Sequence, residues 1–393
     1  MSLEGHYEES APAADGGSPS WKAEWSGNEG SIETGPVPDD FDPHDFDSVL
    51  SRLGYQPGEA RMELVSASRW EQRTSVRDAD GRRTGEVETT WLNAYRYKAE
   101  RGVMRVDLPA LYADVRSSKP SRREPSQTGR SAVVCWADIQ VGKVDRLGGL
   151  SEMLDRLEQK RRSLKSWLRS AKVEHVVLAD VGDIVEGFEN VGSQTRMNSL
   201  SLMDQVDVAA TEFWRTLRVC EQAGPVDVLS VPSNHCQWRK GKGLVGKPGD
   251  DWGLHISQRL ERLNEEAGLR ASFHRPPDWD EVLQFRVQDT ELGLAHGHQA
   301  SGPDRVKDWW GRMTHAGVLS ADVLLTGHFH FASLRPHGRN PDTGRSRWHV
   351  QASTLDNGSA WVRNKFGEDG DPALTVFVID RGCGFDLGSF TLL

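Results

Sequence analysis

From Ser131 onward, five apolar runs each end on side chains that bind metal ions. They close at Asp138, at Asp183, at Asn234 with His235, at His296 with His298, and at His328 with His330. Helical segments lie between the early runs. "SEMLDRLEQKRRSLKSWLRSAK" opens on Ser-Glu and has a basic C-terminal half, as the helix dipole favours. "SLMDQVDVAATEFWRTLRVCEQAG" closes on Gly224 and "DWGLHISQRLERLNEEAG" on Gly268. Strands alternating with helices predict a layered α/β domain, and sites in such sheets collect at the carboxyl ends of the strands. The late runs "EVLQFRVQDTELGLAHGH", "ADVLLTGHFHFAS", "RWHVQAST" and "ALTVFVID" are strand-like, so the final sheet is expected to be partly antiparallel. A single strand-end Asp is ordinarily a turn or cap residue, and a single buried His a hydrogen-bonded core residue. Five such ends in one domain point to a shared site.

The residue types suit one chemistry. A carboxylate can bridge two divalent ions, and neutral imidazoles with an amide oxygen fill the remaining positions. Two ions about 3.5–4 Å apart can clamp a phosphate and generate a hydroxide nucleophile at neutral pH.

The ordered set Asp-x-Gln, Gly-Asp-x-x-Glu, Ser-Asn-His-Cys, His-Gly-His, Gly-His-x-His resembles the calcineurin-like metallophosphoesterases, across about residues 131–380. The broad look is similar to phage-encoded and repair-nuclease-like members. The resemblance implies a four-layer αββα sandwich of two mixed sheets, here with a small N-terminal module. It also implies two divalent metal ions. Asp138 and His330 would bind the first, Asp183 would bridge both, and Asn234, His296 and His328 would bind the second. His298 is the second choice to His296, or a residue behind the ligands. His235 would face the scissile phosphate and stabilise charge or protonate the leaving oxygen.

The chain departs from the family pattern in three places. Gln140 stands where a histidine is usual at the first metal. Its oxygen suits Mn or Mg better than Zn or Fe, either as a direct ligand or through water. Glu186 replaces an Asp and could orient His235. Cys236 replaces the acid that follows His235, with Ser233 in place of the preceding Gly. Cys236 is expected behind the ligands, as a soft-metal ligand only if a thiol partner were near.

The remaining sequence bounds the function. Residues 1–43 are rich in Gly, Ser, Pro and acids and are expected to be disordered. Residues 44–115 read as a short helix plus a β-hairpin around an Asp-Gly turn, 116–130 as a basic linker, and 131–393 as the phosphoesterase domain. The N-terminus has no signal-peptide pattern, and the four cysteines make no CxxC pair, which suits a cytoplasmic location. No run of about 18 apolar residues is present, so no membrane span is expected. The net charge is −10, yet the basic linker and the loop with Arg239, Lys240 and Lys242 could guide a phosphate backbone. Trp310, beside Trp309, is a candidate to stack on a base, and Asn357 and Arg363 are candidates to reach substrate.

The expected function is metal-dependent phosphodiester hydrolysis, with Mn favoured and nucleic acid, DNA above all, as substrate. Its rivals are a phosphatase or pyrophosphatase on a small nucleotide, and a non-catalytic phosphate- or nucleic-acid-binding protein. A homodimer or a partner ATPase is compatible with the sequence, which carries no docking motif for the latter.

Overall fold

The computed structural model describes residues 21–26, 29–54, 60–77, 82–101, 108–119, 127–188, 194, 198–240, 243–368 and 370–393. The chain divides into two compact units between Arg105 and Val106.

The smaller unit holds β1 (Lys22–Ser26), β2 (Glu29–Glu33), β3 (Val37–Pro38), α1 (Phe46–Arg52), β4 (Ala60–Arg77) and β5 (Arg83–Arg101). All its strand pairs are antiparallel. β5 takes β2 and β3 along one edge and β4 along the other. Asp45 caps α1 by accepting from the Ser48 N–H at 3.1 Å. The core is built from Ile32, Val49, Leu50, Met62, Tyr97 and Ala99. The expected hairpin is therefore present as β4 and β5, while most of its Asp-Gly turn lies outside the described residues. The expectation of a disordered tail to residue 43 is corrected. Ile32 is buried in the core with Trp21 and Ala23 against it, and this burial holds β1 to β3 in the sheet. Residues 1–20 lie outside the described residues.

The larger unit runs α2 (Leu108–Ser117), β6 (Arg130–Trp136), α3 (Leu150–Ala171), β7 (His175–Asp180), α4 (Leu202–Glu221) and β8 (Val226–Ser230). A short ribbon follows, β9 (Arg239–Lys240) with β10 (Gly243–Leu244), then α5 (Trp252–Glu266), β11 (Ser272–His274), β12 (Val282–Val287), β13 (Thr290–Ala295) and α6 (Val306–His315). The chain ends with β14 (Val323–Thr326), β15 (Ser333–Arg339), β16 (Ser346–Gln351), α7 (Ala360–Phe366), β17 (Thr375–Asp380) and β18 (Gly384–Leu392). One sheet has the order β11-β8-β7-β6-β17-β18 and the other β12-β13-β14-β16-β15. Each is parallel at its centre and antiparallel toward at least one edge.

Alternation along the strands sets the layers. Val133, Cys135, Val177, Leu229 and Phe377 face Leu292, Leu294, Val323, Leu325 and Val350 of the second sheet. Their neighbours Val134, Trp136, Val176, Leu178 and Val228 face away, into the core shared with α3, α4 and α5. α6 covers the far side of the second sheet through Val306, Trp309 and Trp310. This is the helix–sheet–sheet–helix sandwich expected. Each buried Val, Leu or Phe adds roughly 1.5–3 kcal/mol to its stability.

Two boundaries differ from expectation. α2 belongs to the larger unit, because Leu111 and Val115 enter its core and Trp214 Nε1 donates to Asp114 at 3.0 Å. Arg116, expected in the linker, is therefore helical, and 120–126 lie outside the described residues. Among the described residues no helix is long and apolar enough to cross a membrane.

Candidate functional site

The predicted strand ends meet on the same side of the two sheets, in strained turns. Asp138, Gln140, Asp183, His328 and His330 have φ between 46° and 70°, and they are five of the seven non-glycine residues with positive φ among the described residues. Such conformations cost on the order of 1–3 kcal/mol each and persist where the surroundings enforce them. Here the turns bond one another. The Asp138 N–H donates to Gly182 O at 3.1 Å, the Gln140 N–H to Asp183 O at 2.8 Å, and the Gly327 N–H to His296 O at 2.8 Å. Glycine is required at two points. A Cβ on Gly182 would lie 2.6 Å from Ser233 Cβ and 2.7 Å from His296 Nδ1, and one on Gly327 would lie 2.5 Å from Asp138 Oδ2.

Asp183, His296 and His328 offer ligand atoms that all lie within 4.8 Å of one another. His296 Nε2 is 3.0 Å from Asp183 Oδ2. Both atoms are buried and neither has a well-directed hydrogen bond, so two donor atoms converge on one point. His296 Nδ1 is held by Val181 O at 2.9 Å, which aims Nε2 inward. Burial opposes ionisation of Asp183, but His296 and His235 hold its carboxyl well below the usual range. For His296 burial opposes protonation, and the Asp183 carboxylate outweighs it, raising the imidazole to about 9. His328 is driven well below its ordinary value by burial and by His296. One carboxylate and two imidazoles fit a divalent transition ion.

Asp138 lies next to this group. It accepts from the His328 N–H at 2.9 Å through Oδ2, and His330 Nε2 stands 3.6 Å from its Oδ1. Burial pushes Asp138 up against the pull of His330 and His296. Asn234 sits between Ser233, whose Oγ accepts from the Asp183 N–H at 2.8 Å, and His235, whose N–H donates to Asp183 Oδ1 at 2.9 Å.

His235 is steadied from behind. Its Nδ1 lies 2.8 Å from Glu186 O and 3.3 Å from Glu186 Oε2, and its Nε2 lies 4.0 Å from Asp183 Oδ2. Burial disfavours the imidazolium, but Asp183 and Glu186 outweigh it and raise His235 to about 9.

Gln140 meets an unforeseen partner. The Lys143 ammonium donates to its Oε1 at 2.7 Å and to Asp356 Oδ2 at 2.5 Å, while its Nε2 stands 3.4 Å from His235 Nε2. The amide oxygen expected to meet a metal is thus held by a buried cation. Asp356 also lies 3.0 Å from His330 Nδ1. Burial would raise Asp356, but Lys143 and His330 hold it far below the ordinary carboxylate range.

Other expected residues are placed differently. Trp310 is 1% exposed, packed under Arg347 with Cζ 3.7 Å from its ring, so it stacks on no substrate. Asn357 is a buried brace. Its Nδ2 donates to Lys143 O and Gly149 O, and its Oδ1 accepts from Arg156. Cys236 is fully buried, and burial pushes its thiol well above the usual value, so it offers no thiolate. His298 lies with its ring centroid 5.5 Å from His296 and its Nε2 3.6 Å from Glu281 Oε2, and burial with the nearby His296 lowers it to about 3. Lys240 and Arg363 are exposed, Arg239 donates to Gln237 Oε1 at 3.1 Å, and Lys242 lies outside the described residues.

Sequence reasoning missed Lys143, Asp356, the exposed Trp361 beside His328 and the exposed Trp238 that follows His235 in the chain. The first had a signal: Lys143 stands three positions after Gln140, just past a strand end.

No family model matches the chain, and no curated protein sequence matches it. Among solved structures, Vps29 from Cryptosporidium parvum is similar at 14% identity and a TM-score of 0.30, covering 67% of this chain and 97% of that one. A single mutant of Vps29 from Entamoeba histolytica gives 10% and 0.28, covering 67% and 98%. A metallophosphoesterase from Sphaerobacter thermophilus gives 10% and 0.28, covering 67% and 88%. At these values the functional reading rests on the chain's own residues.

Proposed function

We propose that this chain is a metal-dependent phosphodiester hydrolase acting on nucleic acid, with DNA favoured. The observation that carries the reading is the convergence of Asp183, His296 and His328 donor atoms within 4.8 Å beside His235. These three residues, with Asn234, would hold one divalent ion, and Asp138 and His330 lie adjacent for a second that Asp183 would share. When bound, such ions supply Lewis-acid charge against a phosphoryl oxygen.

The chain's own groups do the rest. His235, oriented by Glu186 and by the Asp183 carboxylate, is placed to hold a proton against an oxygen of the scissile phosphate and release it to the leaving group. The Lys143 ammonium adds a fixed positive charge beside Gln140. This accounts for glutamine at a position where the resemblance expects histidine: the amide joins Lys143 to the His235 ring. Mn is favoured on the oxygen donors of Asp138, Asp183 and Asn234 beside the imidazoles, since Gln140 Oε1 is taken by Lys143. Arg239, Lys240 and Arg363 would track the phosphates on either side.

The test is cleavage of labelled single- and double-stranded DNA with Mn, with Mg and with EDTA, on wild type, His235→Ala and Asp183→Ala. Metal-dependent cutting lost in both variants supports the reading. Hydrolysis of bis-(p-nitrophenyl) phosphate with DNA left intact keeps the chemistry and removes the nucleic acid.

A further inference from the structure

Two large aromatic side chains that the reaction does not use stand near the candidate cluster. Trp361, on α7, is 51% exposed, and its ring centroid is 6.5 Å from that of His328. Trp238 is 62% exposed and follows His235 by three residues, at most about 11 Å of chain. The loop that carries Trp238 is tied to the cluster from its other side. Gln237 Nε2 donates to Glu281 Oε1 at 3.2 Å, and Glu281 Oε2 lies 3.6 Å from His298 Nε2. Trp361 thus borders the cluster at His328, and Trp238 lies within a short reach of chain from His235.

An indole left more than half exposed is costly, since aromatic side chains carry a large apolar surface. Each indole here also has cationic neighbours of the kind that follow a phosphate backbone. Lys365 Nζ stands 4.4 Å from the Trp361 ring, and Arg239 and Lys240 follow Trp238 directly. A cavity of about 420 Å³ opens beside Trp238, bounded also by Trp252, His255, Asp250 and Asp278. That size lies in the range of small-molecule sites, roughly 300–1,000 Å³. Its Asp250 and Asp278 carboxylates are each bonded by Lys247 and keep acceptor capacity for the exocyclic amino groups of a base. The acceptors beside Trp238 suit a base, while the histidines suit a phosphate.

We propose that Trp238 and Trp361 are base-stacking platforms beside the cluster, and that the strand lying across it is single-stranded. Paired bases in a duplex hide their faces in the stack, so only unpaired bases can lie on these rings. The location of the strand rests on the phosphodiester reading above, but the test needs no catalysis.

The full chain is titrated in EDTA against a fluorescein-labelled, unstructured single strand of about twenty nucleotides rich in adenine and cytosine, and against a blunt duplex of the same length. Anisotropy and tryptophan quenching are both read. The single strand is expected to bind more tightly than the duplex and to quench tryptophan emission. Trp238→Ala and Trp361→Ala each weaken single-strand binding by between about 5-fold and 150-fold. Trp238→Phe and Trp361→Phe keep most of it, because a smaller aromatic face still stacks. Circular dichroism confirms that each variant is folded. Equal or tighter binding of the duplex, or alanine variants with wild-type affinity for the single strand, overturns the proposal. If the single strand binds through both tryptophans but no diester is hydrolysed, the platforms stand and the catalytic reading falls. If a small diester is hydrolysed and no oligonucleotide binds, the platforms fall with the nucleic acid substrate, and the phosphodiester chemistry stands.

Discussion

His235 Nδ1 lies 3.3 Å from Glu186 Oε2 and 2.8 Å from the same residue's backbone oxygen. One residue thus fixes both the charge behind the imidazole and its rotation, and Nε2 is left facing Asp183. The glutamate occupies a position where the resemblance expects aspartate, and its extra methylene gives it this reach. His235→Ala is expected to lower kcat on a phosphodiester by about 10²- to 10⁴-fold with little change in KM. Glu186→Gln keeps the shape, removes the charge and lowers kcat by less. Steady-state kinetics with Mn on both variants decide it, and an unchanged kcat in His235→Ala removes the histidine from the reaction.

Lys143 and Asp356 form a buried pair, with side chains 9% and 0% exposed. Lys143→Met takes the ammonium from the Asp356 carboxylate, leaving His330 and the Gly358 N–H against it. The expected loss is about 3–5 kcal/mol by urea unfolding, because a buried charge without its partner is far costlier than the pair. Adding Asp356→Asn to Lys143→Met restores part of that loss. A single variant as stable as wild type would mean that the ammonium contributes nothing to the fold.

His349, fully buried on β16, bonds Thr326 Oγ1 through Nε2 at 2.8 Å. Burial, with His337 and Arg335 nearby, lowers it from 6.5 to about 3. Between those values the unfolded chain binds a proton that the folded chain refuses. Stability is therefore lost as pH falls through this window, by about 2 kcal/mol from pH 7 to pH 5 on this account alone. In His349→Gln the urea midpoint is expected to fall less over the same interval. Equal falls in both proteins would assign the acid sensitivity elsewhere.

Gly182 combines a φ of 101° with close approach to Ser233 and His296. Gly182→Ala must displace the His296 ring or the Ser233 turn. It is expected to cost more than about 1 kcal/mol of stability and to weaken Mn binding measured by calorimetry. Wild-type Mn affinity in this variant would show that the His296 ring is not held where the ion binds.

The layers and most of the cluster were legible because each polar residue ends an apolar run, and strand ends of one α/β domain share a face. What the sequence could not show are partners set by packing across the chain. Lys143 and Asp356 are 213 positions apart, and only the fold brings them together around Gln140. Asn357 looked like a substrate residue because it sits in a turn-rich loop, yet its amide is used on the backbone oxygens of Lys143 and Gly149 and on the Arg156 guanidinium. Trp310 reads as a helical aromatic near the histidines, whereas Trp361 falls in a stretch that reads as a turn-rich loop. The second sheet with Arg347 buries the first, while the second lies at the edge of the cluster. In the N-terminal part, a low aliphatic content hid β1 to β3, which need only Ile32 and a few neighbours to join the module's core.

The most direct measurement is hydrolysis of bis-(p-nitrophenyl) phosphate by the purified chain, stripped with EDTA and then titrated with Mn, beside Asp183→Ala. The account predicts no turnover after stripping, recovery with added Mn, and no recovery in the variant. Turnover that survives stripping, or that returns equally in Asp183→Ala, would contradict a metal-dependent site built on Asp183, His296 and His328.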